Sequence, residues 1–173
     1  MNKELPERKS TRIKNFDYSK TGAYFVTVCT QDRRQILSRI TSVPMVGEGL
    51  APPVFNTNLL PCGFVAKEQL LLLEQRYDNI QIKSYVIMPD HIHAIIFIKN
   101  SAGGASPSPT LTDVICAFKS LTARICKQRF GVNNLFQRSF AEHIIRDKED
   151  YKVRRKYISE NPMRWYYNQL NTK

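Results

Sequence analysis

This chain is poor in histidine, in acidic residues and in paired cysteines. Only 3 of its 173 residues are histidine, and 15 Asp and Glu stand against 26 Lys and Arg, leaving a formal charge of +11. A surface so short of acid disfavours a basic partner and points to a polyanion. The four cysteines, Cys29, Cys62, Cys116 and Cys126, lie far apart with no C-x-x-C pair, which excludes a zinc knuckle or a thioredoxin-like site and predicts free intracellular thiols. No apolar run reaches the roughly 18 residues of a membrane span. The first ten residues contain no apolar signal region, so the expected location is the cytoplasm, without membrane contact and, given the charge, associated with the nucleoid. No internal repeat is visible, and the length fits one domain over residues 1–173.

What the chain does contain is concentrated. Residues 119–173 carry 13 basic and 5 acidic side chains. Phosphate contacts are expected from Lys119, Arg124, Arg138, Arg146, Lys152, Arg154, Arg155 and Lys156. Tyr151, Tyr157, Trp165, Tyr166 and Tyr167 interleave with these charges, as stacking faces for unpaired bases or as core rings. Two of the three histidines fall in Pro89-Asp90-His91-Ile92-His93, which runs into Ala94-Ile95-Ile96-Phe97-Ile98. Side chains alternate along a strand, so His91 and His93 share a face with Ile95 and Phe97, while Ile92, Ala94, Ile96 and Ile98 form an apolar face opposite. Two imidazoles so placed can hold one divalent metal, or can be half-buried residues with satisfied ring nitrogens.

The pattern predicts strands over residues 23–30, near 34–38, over 80–88 and over 91–98, with a helix over 64–77. Residues 41–62, punctuated by Pro44, Gly47, Gly49, Pro52, Pro53 and Pro61, read as irregular, and residues 101–110 as a flexible connector. Thr110-Leu111-Thr112-Asp113 has the form of a capping box before a helix whose stripe is Leu111, Val114, Ile115, Phe118, Leu121 and Ile125. A last helix is expected from about 147 to 160, ending at Asn161 because Pro162 disfavours helical geometry in the residue before it. Tyr157 and Asn161, four apart, face the same way on that helix. His143 sits in an extended or mixed segment with its role open.

Three blocks now stand in order: Met88-Pro89-Asp90-His91-Ile92-His93-Ala94, then Phe136-Gln137-Arg138-Ser139-Phe140-Ala141-Glu142-His143-Ile144-Ile145-Arg146, then Tyr157-Ile158-Ser159-Glu160-Asn161-Pro162. With the Tyr24-Phe25-Val26-Thr27 strand ahead of them, the chain resembles the single-tyrosine HUH transposases of insertion sequences, and within them the REP-associated tyrosine transposases, over a core of residues 12–167. The resemblance implies a ferredoxin-like α+β fold, an antiparallel sheet with packed helices and a C-terminal helix carrying the nucleophilic tyrosine. It implies Tyr157 as nucleophile, with His91, His93 and Asn161 as ligands of Mg²⁺ or Mn²⁺. The implied activity is nicking and rejoining of single-stranded or hairpin DNA through a 5′-phosphotyrosine, by a monomer or a homodimer. A free phenol titrates near 10, so such a nucleophile relies on metal and local positive charge. The chain ends soon after Trp165-Tyr166-Tyr167, which predicts weaker hairpin specificity. The alternative expectation is a non-catalytic, transposase-derived protein that binds hairpin DNA. A metal-dependent hydrolase lacks an identifiable general base, and an RNA-binding module lacks its aromatic strand motif.

Overall fold

The structure, a computed structural model, describes residues 21–43, 53–99 and 109–171. Four strands, β1 (Gly22–Cys29), β4 (Ile80–Ile87), β5 (His91–Ile98) and β6 (Ala141–Ile145), form one antiparallel sheet in the order β4-β5-β1-β6. A separate hairpin pairs β2 (Ser38–Val43) with β3 (Val54–Leu59). The helices are α1 (Pro61–Leu71), α2 (Leu73–Arg76), α3 (Leu111–Phe130) and α4 (Lys148–Leu170). Without the hairpin and α4 the order is the ferredoxin-like strand–helix–strand–strand–helix–strand, with the first and third core strands at the centre of the sheet.

Alternation along the two central strands sorts the residues between the faces. Tyr24, Val26, Val28, Ile92, Ala94, Ile96 and Ile98 are all buried in one large apolar cluster together with α1 and α3. The helix α3 starts in a full capping box, Thr110 and Asp113 bonding reciprocally, and stops at Gly131, whose φ of 69° is cheap only without a Cβ. The deepest positions in its second half are Thr122 and Cys126 rather than Leu121 and Ile125, because a 3.6-residue repeat drifts from the stripe. A Cβ on Gly63 would collide with the Leu37 carbonyl, so α1 meets the start of the hairpin only through glycine. Leu37 in turn donates to the Pro89 carbonyl at 3.0 Å, joining the hairpin to the turn before the histidines.

Three further expectations change. The strand expected near 34–38 begins at Ser38, since Asp32 and Arg33 take left-handed φ of 55° and 54° and the Arg34 side chain bonds the Asn133 and Asn134 carbonyls. Within the supposedly irregular 41–62, residues 54–59 form β3 and 61–62 open α1; Pro53 lies outside the strand and Pro61 takes a first-turn position, where its missing N–H costs nothing. The last helix does not end at Asn161 but runs through Pro162 to Leu170. Proline removes one backbone bond there, and the extension is held by Tyr166 and Tyr167 packing on Phe55 of β3. Most of the 101–110 connector and residues 12–20 of the expected core lie outside the described residues. No helix among the described residues is long and apolar enough to cross a membrane.

Candidate active site

The second face of the sheet carries the polar chemistry. Register places Thr27 opposite His93 and Cys29 opposite His91 on adjacent antiparallel strands, so these four side chains share that face. Three residues, Met88-Pro89-Asp90, join β4 to β5, closed by the Met88 N–H donating to the His91 carbonyl at 2.8 Å, and set Asp90 immediately before His91. Both histidines are buried, and their rings lie 4.5 Å apart, centroid to centroid. His91 Nδ1 lies 2.5 Å from Asp90 Oδ1, and His93 Nδ1 lies 2.8 Å from Thr27 Oγ1. With protons assigned to both Nδ1 atoms, carboxylate and hydroxyl accept, and both Nε2 lone pairs are left for a ligand. Burial, helped by the positive potential of His91 and Arg33, lowers the His93 pKa to about 3, so its imidazole is neutral near pH 7.

Over this face lies α4. Asp147 caps its start through the Asp150 N–H, and Asp150 is clasped by His143 Nε2 at 2.7 Å and Arg154 Nε at 3.2 Å. Burial opposes the charge on Asp150, but the bonds from His143, the Arg146 N–H and Arg154 outweigh it and hold the carboxyl below its usual pKa. This clasp ties the helix to β6, where His143 stands opposite Phe25 of β1. Beyond it, Tyr157 sits with its ring 5.2 Å from that of His93 and 5.9 Å from that of Phe25, which stacks on His93. Two turns further on, the Trp165 ring lies 5.9 Å from that of His91. Asn161, one turn from each on the same side of the helix, is buried. The structure thus brings His91, His93, Tyr157 and Asn161 to one place, with Tyr157 still 37% exposed. Among the described residues no three His, Cys, Asp or Glu side chains converge, so a metal here would rest on the two imidazoles and a neutral oxygen such as the Asn161 carboxamide.

The basic residues divide into two groups. Lys119, Arg124 and Arg138 line a concavity of about 480 Å³ with Lys127, although the Lys119 ammonium donates to the carbonyls of Gln137, Arg138 and Ser139. Burial lowers the pKa of that lysine. Arg146 precedes α4, and Lys152, Arg154, Arg155 and Lys156 ride on it; Lys152 pairs with Glu149, Lys156 with Glu160, and Arg154 covers the Phe25 ring at 5.6 Å. The sequence reading missed Asp90 and Thr27, which orient the histidines, Arg33, 3.5 Å from Asp90, and Arg164, whose guanidinium lies 5.8 Å from the Tyr157 ring centre. Asp90 was visible inside its motif; Thr27 becomes visible only with the strand register.

Comparison with known proteins agrees with this architecture. Residues 68–161 match the family described as transposase, IS200-like. A REP-associated tyrosine transposase of Escherichia coli K12 is 25% identical over 150 residues, spanning 85% of this chain and 70% of that one. An uncharacterised protein of Haemophilus influenzae is 26% identical over 184 residues, spanning 98% and 96%. Among solved structures, a REP-associated tyrosine transposase bound to a REP hairpin superposes with a TM-score of 0.58 at 21% identity, covering 88% of this chain and 73% of that one, and has the same fold.

Proposed function

From the premise that the chain belongs to the IS200-like transposase family, we propose that it is a divalent-metal-dependent endonuclease and strand transferase acting on single-stranded DNA beside a hairpin. The observation that carries this reading is the placement of the Tyr157 ring 5.2 Å from that of His93, beside a second imidazole oriented the same way through Nδ1. The names of the Escherichia coli relative and of the hairpin-bound structure support a hairpin substrate.

The donor set fits the group. Two neutral-capable imidazoles with Asp90 and Thr27 fixing their tautomers, and a buried carboxamide at Asn161, would hold Mg²⁺ or Mn²⁺ and leave coordination positions open. When bound, such a cation supplies Lewis-acid stabilisation of charge on the phosphate. In the reaction, Tyr157 Oη attacks the scissile phosphorus in line, its proton passing to solvent. The P–O3′ bond breaks and the 3′ oxygen leaves as a hydroxyl after taking up a proton. The 5′ phosphate stays on the tyrosine as an ester, so the bond is conserved and reversal by a 3′ hydroxyl rejoins DNA without ATP. Arg164, 5.8 Å from the Tyr157 ring centre and paired with Glu160 at 2.9 Å, keeps a guanidinium near the phenol. Arg154 and the His143–Asp150 clasp hold the helix that aims the phenol.

The test is incubation of the protein with Mg²⁺ or Mn²⁺ and 3′-labelled single-stranded DNA carrying hairpins from its own genome, beside Tyr157→Phe. A chelator-sensitive shift of label with the protein on a denaturing gel, lost in the variant, is expected. Tight binding of hairpins without any adduct would replace this reading with the non-catalytic one.

A further inference from the structure

A second concavity, of about 530 Å³, opens between the β2–β3 hairpin, Pro89 and the C-terminal half of α4. That volume lies within the roughly 300–1,000 Å³ of small-ligand sites. We propose that it is a nucleotide subsite, which takes one unpaired base and its phosphate from the DNA strand next to the phosphate attacked by Tyr157. The inference rests on the reading above and adds to it the place where the strand is held.

Three observations carry it. The first is position: Trp165 lines the concavity while its ring stands 5.9 Å from that of His91, and Pro89 on the opposite wall is two residues from the same histidine. A strand with one phosphate at the histidines has its neighbouring nucleotide within reach of this wall. The second is the aromatic surface. Trp165 and Tyr166 are half-buried and both line the concavity, Trp165 against His91 and Tyr166 against Phe55 at 5.5 Å, so each offers a supported ring of the kind on which bases stack. The third is the polar rim. Arg39 is exposed and has no carboxylate partner among the described residues, and none of the described lining residues is acidic. Gln35 and Gln169 present exposed amides, each a donor and an acceptor, to the same space. The nearby hydroxyls are already engaged, Ser38 with the Ile87 carbonyl and Thr41 with the Asn58 amide. Aromatic rings, two amide edges and an exposed guanidinium suit a base that bears a phosphate; an apolar peptide side chain would leave the rim unanswered, and an acidic one would leave the rings unused.

The chain has a single tryptophan, so its intrinsic fluorescence reports on this wall directly. The full chain carrying Tyr157→Phe, which keeps the DNA uncut, is titrated with a twelve-nucleotide oligothymidylate and with an abasic strand of the same length and phosphate count. Trp165 emission is followed beside the anisotropy of a labelled strand. The base-bearing strand should quench Trp165 and bind at least about fivefold more tightly than the abasic one, the least that one stacked base contributes. Adding Arg39→Ala, a change at an exposed side chain, should weaken the quenching-monitored affinity by a similar factor, with the thermal midpoint unchanged. Binding seen by anisotropy with no change in Trp165 emission would overturn the subsite, as would equal quenching by both strands or an Arg39→Ala titration identical to the parent. None of these results touches adduct formation by the wild-type chain, so the subsite and the nuclease can fail separately.

Discussion

The two faces of one sheet divide the work of this molecule. On the face under α1 and α3, Val28, Ile92, Ala94, Ile96 and Phe118 belong to a continuous apolar cluster with almost no exposed area. On the face under α4 the apolar cluster shrinks to Ala23, Phe25, Ile95, Ile145 and Ile158, and beside it stand His91, His93, Thr27 and Tyr157. The difference shows where each kind of free energy resides: burial on the first face holds the fold, so the second can carry polar groups, the Asp90–His91 and Thr27–His93 pairs among them, in place of apolar ones.

The comparison can be broken most sharply at Tyr157. Replacing it by Phe removes the proposed nucleophilic oxygen, which makes no hydrogen bond to a described residue, so adduct formation should fall by about 10³-fold or more while the thermal midpoint moves by no more than about 2 °C. Denaturing gels and calorimetry check the two halves. Phe118→Ala should do the reverse: loss of a fully buried ring costs about 3–5 kcal/mol and lowers the midpoint by more than about 6 °C, with the adduct rate per folded molecule at low temperature unchanged.

Adjacent residues on opposite faces sharpen the contrast further. Thr27→Val deprives His93 Nδ1 of its partner and should raise the Mn²⁺ concentration for half-maximal adduct formation by about 10–100-fold, whereas Val28→Ala should lower stability and leave that concentration alone. The smallest effect is on pH dependence. Because the folded pKa of His93 is about 3 and the unfolded value about 6.5, the unfolded chain binds a proton in that interval that the folded chain does not. Stability is therefore unaffected by this group above about pH 6.5, falls as pH drops from there to about 3, and is level below. His93→Gln should flatten the denaturation midpoint measured across that window.

Much of the fold was legible because its strands and helices carry strong local signals. The β-branched run of β5, the aromatic run of β1 and the Thr110–Asp113 box each lie where the pattern put them. The β2–β3 hairpin was not legible, since β3 alternates only between exposed and half-buried positions and the pair joins no other described strand. The continuation of α4 beyond Pro162 was hidden for another reason: local preference favours a stop, and tertiary contacts, among them Tyr166 and Tyr167 on Phe55 and Trp165 on His91, override it. At the site, the histidines and the tyrosine could be named from spacing, while their supports, Thr27 across a strand and the His143–Asp150 clasp at the head of the helix, depend on register and packing that spacing does not contain.

The unbroken course of α4 makes the helix a ruler. Tyr157 and Trp165 are eight residues apart on one rod, roughly 12 Å at 1.5 Å per residue, with little freedom to change their separation. If the tryptophan wall holds a base and the phenol cuts the neighbouring phosphate, the distance between the held base and the cut is fixed by helical rise, independently of which base is held. One residue inserted between them would turn the two groups apart by about 100° and disable the ruler, even if both ends were left chemically intact.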